Sequence, residues 1–478
     1  MILLGEHNQK NRLRLWWLIV LTGLGFIGYS LYLQQQKIVT VHEEKFIGNE
    51  EDRILILAPH PDDDIISCGG IIQKARKKNI PVKIVYLTYG DMNEWSFLLY
   101  RKRLVLMPKA VQSMGLVRHD EAVRAAGLMG VTADNLTFLG YPDFGTMNIW
   151  YRHWGQSASY KSLLTKVTAV PYANAYRPGA PYKGEEIVRD IETILRKFKP
   201  TKVFVSHPGD HNVDHRALYL FTRIALWNTH DVVHAKIYPY ITHVKNWPKP
   251  SGYHPELMLS PPRIFKNQII WASLRLSPEE IDLKRNALKG HHSQYMSSAR
   301  YLSSFVRGNE IFGDFDPVDL SVDVHEAVIP SDSKEEEITQ DDWQLTDNQK
   351  VSFVGVQERT VRVVDHNLEI TIRLSRPMGQ AVGVSVYLFG YRSDRRFEEM
   401  PKIIIKTGTI LYDVLDQGRK LPENIVKVSR RPKSITLSVP LEVLGNPQKI
   451  LTSAQTYLGK VPLDWLSWHA IELPGSKN

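Results

Sequence analysis

The chain has 478 residues, with 60 Lys and Arg against 51 Asp and Glu, a formal net charge of +9 and a single cysteine. That length exceeds one typical domain, and one cysteine, Cys68, excludes an intramolecular disulfide and a cysteine-built metal cluster. The basic excess is spread along the chain and its basic and aromatic residues form no nucleic-acid motif, so it fits anionic lipid headgroups or an anionic glycan better than DNA or RNA.

From Leu15 to Leu33 the run LWWLIVLTGLGFIGYSLYL carries no charge. It approaches the roughly 20 apolar residues that a membrane-spanning helix needs. Residues 15–33 therefore read as a transmembrane anchor, with Trp16 and Trp17 suited to one interface and Tyr29 and Tyr32 to the other. Lys10, Arg12 and Arg14 favour a cytoplasmic 1–14. The bulk of the chain is then expected outside the cytoplasm, periplasmic or extracellular. A cleaved signal peptide would have a shorter apolar region and a small-x-small cleavage site, which GYSLYLQQQK lacks. Residues 34–50 read as a polar tether.

Residues 51–315 alternate apolar strands with helical stretches. The strands are expected at Ile54–Ala58, Val82–Leu87, Leu136–Leu139, Val203–Ser206 and Lys236–Ile241, and the helices at Ile71–Lys78, Glu121–Met129, Glu186–Phe198 and Asp214–Trp227. Such alternation predicts an α/β fold with a Rossmann-like parallel sheet. Residues 90–117 and 147–183, rich in Tyr, Trp, Arg and Lys, read as insertions that shape a groove over the site. The glycine pair Gly69–Gly70 makes no dinucleotide or P-loop motif.

The charged run SDSKEEEITQDD marks residues 316–345 as an acidic linker. Beyond it, KVSFVGV, RTVRVVDH, LEITIRLS, GVSVYLFGY, KIIIKT and SITLSVPLEVL alternate or run apolar between turns, which predicts a β-sandwich over 346–478. The domain's end vaguely resembles carbohydrate-binding β-sandwich modules, with Trp465, Trp468 and Tyr391 as sugar-stacking candidates and a packing role as the plainer alternative.

The chemistry is concentrated at two strand ends. Ile54–Ala58 runs into His60, Pro61, Asp62, Asp63 and Asp64, and Val203–Ser206 runs into His207, Asp210, His211, Asn212, Asp214 and His215. The carboxyl ends of parallel strands face the crevice where such sheets bind ligands. Carboxylates and imidazoles gathered there are costly unless a cation compensates them. A catalytic zinc usually takes three protein ligands, so not all these groups can bind it, and spacing alone leaves the choice open.

The segments PHPDDDIISCGG, RHDEAVRAAG, FLGYPDFGT and HPGDHNVDHRAL together resemble the zinc-dependent N-acetylglucosaminyl deacetylases of the PIG-L (LmbE-like) family, in the family's order over residues 51 to 310. The resemblance implies His60, Asp63 and His215 as ligands of Zn2+, with another divalent metal such as Fe2+ as the alternative. It implies Asp62 as general base and Asp214 as the carboxylate supporting His215. Arg118 and Asp143 match positions that contact sugar hydroxyls in related deacetylases. Two departures stand out. Asp64 replaces the usual Glu, and Asn212 occupies the place where some members carry a His that stabilises the oxyanion, which leaves Asn212, His211 and His207 as candidates for that task. The segment KRNALKGHHSQY resembles a terminal helix of the family, with His291 and His292 at a helix end.

The expected activity is removal of the N-acetyl group from an N-acetylglucosamine-type sugar of an extracytoplasmic glycan or lipid-linked saccharide. The rivals are a zinc amidase on another sugar conjugate and a non-catalytic glycan-binding protein. The expected partners are that saccharide and, through residues 15–33, a membrane; no nucleic acid is expected, and the sequence specifies no oligomeric state.

Overall fold

The computed structural model describes residues 41–48, 51–92, 107–265, 268–320, 326–334, 346–379, 381–422 and 424–474. The anchor reading of 15–33 lies outside them. Among the described residues no helix is long and apolar enough to cross a membrane.

The first unit contains β1 (Val41–Glu43), β2 (Ile54–Ala58), α1 (Asp63–Lys77), β3 (Val82–Thr88), α2 (Pro108–Leu128), β4 (Leu136–Tyr141), α3 (Thr146–Arg152), α4 (Gly184–Phe198), β5 (Lys202–Ser206), α5 (Val213–Asn228), β6 (Lys236–Tyr240), β7 (Trp271–Arg275), α6 (Pro278–Gly290), α7 (His292–Ser303) and β8 (Asn309–Phe312). Five strands form a wholly parallel sheet in the order β4-β3-β2-β5-β6, as the alternation of elements predicts. β2 and β5 are buried on both faces, which accounts for their unbroken apolar runs. From β2 the chain moves outward through β3 to β4, then returns to lay β5 on the other side of β2. That reversal opens a crevice at the carboxyl ends of β2 and β5.

Several boundaries differ from the sequence reading. α1 begins at Asp63 rather than Ile71, because Asp63 and Asp64 sit in its first turn, where carboxylates complement the helix dipole. The glycine pair therefore lies inside the helix, and a Cβ on Gly70 would stand 2.2 Å from the Leu276 side chain. α2 begins at Pro108, so the second part of the 90–117 insertion is helix and Arg118 lies in mid-helix, not ahead of it. The 147–183 insertion opens with α3 and folds back with Tyr160, Tyr172 and Tyr182 buried. The tether reading of 34–50 is too long: β1 pairs with β7, and Phe46 is fully buried.

The second unit is a sandwich of two sheets. One runs in the order Ala327–Ile329, Val356–Val364, Asn367–Leu374, Ser434–Pro440, Lys427–Arg431. The other is centred on the antiparallel pair Val382–Tyr391 and Lys449–Leu458, flanked by Lys402–Thr407 and His469–Glu472. Asn367–Leu374 shows the period of two expected of a half-buried strand, with Leu368, Ile370, Ile372 and Leu374 turned inward. The acidic-linker reading of 316–345 holds too much: Val318–Asp319 and Ala327–Ile329 pair into the two sheets, and Ile329 is buried. KVSFVGV begins as a short helix, Asp347–Val351, whose N-terminus is closed by a Thr346–Gln349 capping box.

Every residue of Val382–Tyr391 is buried. Val384, Val386 and Leu388 face the sandwich core, while Tyr387, Phe389 and Tyr391 face the α/β unit. There they meet Trp150 and Trp154, and the Trp150 ring lies 5.3 to 5.9 Å from those of Phe221, Phe389, Phe397 and Trp468. Trp468 and Tyr391 are each 2% exposed, so the sugar-stacking roles expected of them are corrected: both are interface core. A contact of this composition is a domain core rather than a transient interface. Trp468→Ala is expected to cost on the order of 3–5 kcal/mol and to leave one shared unfolding transition. Calorimetry showing the sandwich of the unmutated chain melting separately from the α/β unit would contradict this.

Candidate metal centre

The pairing of β2 with β5 brings the loops after the two strands face to face. His60 Nδ1, Asp63 Oδ2 and His215 Nε2 form a triangle with edges of 3.2, 3.1 and 3.3 Å. Ligand atoms around a tetrahedral ion with bonds of about 2.0–2.1 Å stand roughly 3.3–3.4 Å apart. Two imidazoles and a carboxylate so placed are a donor set suited to zinc or ferrous iron. All three residues are buried, and these groups could hold a metal ion.

The supporting carboxylates are distributed differently from expectation. Asp214 does not serve His215. Its Oδ2 stands 3.4 Å from His60 Nε2 and accepts the Phe144 N–H, and its Oδ1 accepts from the Thr146 hydroxyl and amide. Asp143 Oδ1 lies 3.1 Å from the same His60 Nε2, and Oδ2 accepts the Met92 N–H. The carboxylate behind His215 is Asp210, whose Oδ2 lies 3.3 Å from Nδ1 and which also accepts the amides of Thr242 and His243. Asp143, expected at a sugar hydroxyl, is therefore part of the scaffold around His60.

Electrostatics follow from this crowding. Burial alone would lower the His60 pKa, but Asp143, Asp214 and Asp63 raise it well above its usual value. His215 is likewise raised to about 9 by Asp210 and Asp63 against its burial. The pocket thus favours positive charge. Burial pushes the Asp62 carboxyl up to about 7, opposed mainly by Arg118. Asp64, also near 7 through burial, accepts the Tyr86 hydroxyl at 2.9 Å, so the shorter side chain does find a partner.

Asp62 has φ +142° and ψ −27°, a backbone region that non-glycine residues rarely occupy. Strain of this kind gathers at functional sites. Arg118 holds the surrounding loop: its guanidinium donates to the carbonyls of Gly90 and Pro61 and stands 3.4 Å from Asp62 Oδ1. Gly90, at φ +63°, leaves room for it, since a Cβ there would meet the guanidinium at 2.0 Å. Arg118 is 4% exposed, so it braces Asp62 rather than presenting a free fork to a sugar.

The three oxyanion candidates are not gathered at the triangle. Asn212 is the N-cap of α5, its side-chain oxygen accepting the Asp214 amide at 2.9 Å. His211 turns to the sandwich, edge-on to Trp465 at 5.2 Å, and burial lowers its pKa to about 2. Arg216 lies over the other part of that contact, 3.6 Å from the Trp465 ring centroid, so Trp465 too is an interface residue. His207 is enclosed by Phe265, Trp271 and Phe315, and burial depresses it to about 3. His291 is buried between α6 and α7 and His292 exposed, in keeping with helix-end residues.

Sequence reasoning missed Thr242 and His243. His243 Nδ1 lies 3.3 Å from Asp210 Oδ1, its ring meets His215 at 4.5 Å, and its side chain is 33% exposed. The signal was present, since both residues lie within three positions of the end of β6 and the carboxyl-end rule applies to that strand too.

Residues 55–226 match the family model described as PIG-L: GlcNAc-PI de-N-acetylase. A probable N-acetyl-alpha-D-glucosaminyl L-malate deacetylase 2 of Bacillus anthracis is 25% identical over 169 residues, covering 34% of this chain and 70% of the relative. A putative glucosamine-6-phosphate deaminase-like protein of Bacteroides thetaiotaomicron is 25% identical over 296 residues, covering 53% of this chain but only 37% of that protein. Among solved structures, the N,N'-diacetylchitobiose deacetylase from Pyrococcus horikoshii aligns with a TM-score of 0.33 and 19% identity, over 52% of this chain and 75% of that one. The residues that match the family model all lie within the α/β unit.

Carboxylates behind metal-binding imidazoles typically contribute 10–100-fold in affinity. Asp210→Asn is therefore expected to weaken Zn2+ binding by about that factor, read by competition with a chromogenic chelator. Unchanged affinity would remove Asp210 from the scaffold of the site.

Proposed function

We propose that the protein is a metal-dependent deacetylase that hydrolyses the acetamide of an N-acetylglucosamine-type sugar, in a glycan or lipid-linked saccharide, with Zn2+ as its cofactor. The observation that carries this reading is the triangle of His60, Asp63 and His215 atoms beside the carboxylate of Asp62, whose backbone is strained. The family match and the deacetylase relative support the sugar as substrate class.

A divalent cation held by the triangle would supply Lewis-acid polarisation of the amide carbonyl and lower the pKa of a nearby water. The residues of the chain account for the proton traffic. Asp62, adjacent in sequence to ligand Asp63, accepts the proton of the attacking water. Arg118 holds its carboxylate in place. As the tetrahedral species collapses and the C–N bond breaks, Asp62 returns that proton to the departing amine, leaving acetate and an amino sugar. His243, oriented by Asp210 and open to solvent, is suited to donate to the oxygen that gains charge.

The full chain loaded with zinc is expected to release acetate from N-acetylglucosamine oligosaccharides. Asp62→Ala should keep the metal and lose turnover by about 10²–10⁴-fold. Metal binding without acetate release from any amino sugar would sink the deacetylase reading, and failure to bind metal would sink the site.

The uncharged run 15–33 with its preceding basic residues supports a single-pass membrane anchor and a catalytic unit outside the cytoplasm. Protease added to intact cells or spheroplasts is then expected to digest the α/β unit, whereas full protection until lysis would place it inside.

A further inference from the structure

Phe144 follows Asp143 at the end of β4 with φ +53°, in the left-handed region that aromatic side chains rarely adopt. Phe144 is 45% exposed, and its ring lies 6.5 Å from that of His60, the two planes 27° apart. The backbone turn has a clear purpose: it delivers the Asp143 carboxylate to His60 Nε2 while the Phe144 amide donates to Asp214 at 2.5 Å. A glycine would make that turn without strain. The aromatic ring serves neither of these bonds. A strained backbone carrying an exposed apolar side chain beside a metal-binding imidazole costs stability twice, and such costs persist where function requires them.

We propose that Phe144 is the aromatic floor of the substrate subsite, on which the apolar face of an N-acetylated pyranose ring stacks. A pyranose carries C–H groups on its faces and hydroxyls at its rim, so a flat ring buries the face and leaves the rim for polar partners. Stacking there would hold the acetamide beside the triangle of His60, Asp63 and His215. Phe144 is thus a specificity residue that binds the sugar and moves no proton. The inference rests on the reading of the site as an amino-sugar deacetylase.

The test uses the zinc-loaded full chain in an Asp62→Ala background, where the sugar is not consumed, with tri-N-acetylchitotriose as ligand and calorimetry as readout. Phe144→Gly is expected to weaken sugar binding by about tenfold or more, the share of one stacked ring, while zinc content and melting temperature hold or rise. Phe144→Tyr should bind as the parent does. In the wild-type background the same glycine change should raise KM more than it lowers kcat. Sugar binding that survives Phe144→Gly overturns the inference alone. A fall in melting temperature or zinc content that accounts for the lost binding also overturns it, by making Phe144 a packing residue. If the Asp62→Ala parent binds no sugar, the inference and the substrate reading fall together. Sugar binding that depends on Phe144 with no acetate release by the wild type would uphold the floor and reject the reaction.

Discussion

Parallel pairing of β2 with β5 is the constraint on which the rest of the site depends. Leu55, Ile56 and Leu57 lie in register with Val203, Phe204 and Val205, although about 150 residues separate them. Loops that follow neighbouring parallel strands emerge on the same edge of the sheet, and here the connections leave in opposite directions, so nothing covers the gap. His60 comes from the loop after β2 and Asp63 from the first turn of α1, while His215 stands in the first turn of α5. A register slip of one residue in either strand would exchange its two faces and carry the following loop with it. The burial of β2 and of Val203–Ser206 in β5 on both faces resists such a slip, because those positions are held by packing above and below.

Once the loops face one another, the next constraint is charge. Asp62, Asp63, Asp143, Asp210 and Asp214 are all buried within a small volume, together with His60 and His215. Mutual repulsion of carboxylates is relieved by distribution. Asp143 and Asp214 flank one imidazole, Asp210 backs the other, and Asp63 lies between both. Backbone amides at Met92, Phe144, Thr146, Thr242 and His243 absorb the remaining lone pairs. This arrangement fixes both rings so that their inner nitrogens converge with Asp63, and it leaves Asp62 outside the triangle, neighboured by Arg118. Which of the two adjacent aspartates joins the triangle thus follows from the way the α1 N-terminus turns.

Much of this was legible in the sequence. Strand-then-acid motifs at 54–64 and 203–215 located both halves of the site, and a parallel sheet followed from alternating elements. Local spacing could not assign the outer carboxylates, because Asp214 adjoins His215 in sequence but serves His60 across the crevice, while Asp210 reaches His215 through the turn of a loop. His243 escaped notice for the opposite reason: its strand end carries one histidine and no acidic cluster, and it acquires meaning only from Asp210. The aromatic residues of the sandwich were misread because exposure is invisible in a strand pattern. Tyr387, Phe389 and Tyr391 alternate as an outward face should, yet that face is covered by another part of the chain.

That covering face gives the sandwich a place in the site's architecture. Trp468 donates its backbone N–H to Pro208, and a Cβ on Gly209 would stand 2.2 Å from the Ser467 hydroxyl. Ser467 is in turn held by Asp332, and Trp465 packs against His211 and Arg216. The segment 207–215, a loop and the first residues of α5, is therefore packed from the sandwich side at Pro208, Gly209 and His211, while its other side presents Asp210 and His215 to the crevice. A segment that must keep His215 Nε2 at 3.1 and 3.3 Å from its two neighbours gains from such confinement, since ligands are only as well placed as the groups packed behind them. The second unit thus bears on the candidate site through the backbone of one loop, and Tyr391, Trp465 and Trp468 are taken up by its contact with the α/β unit.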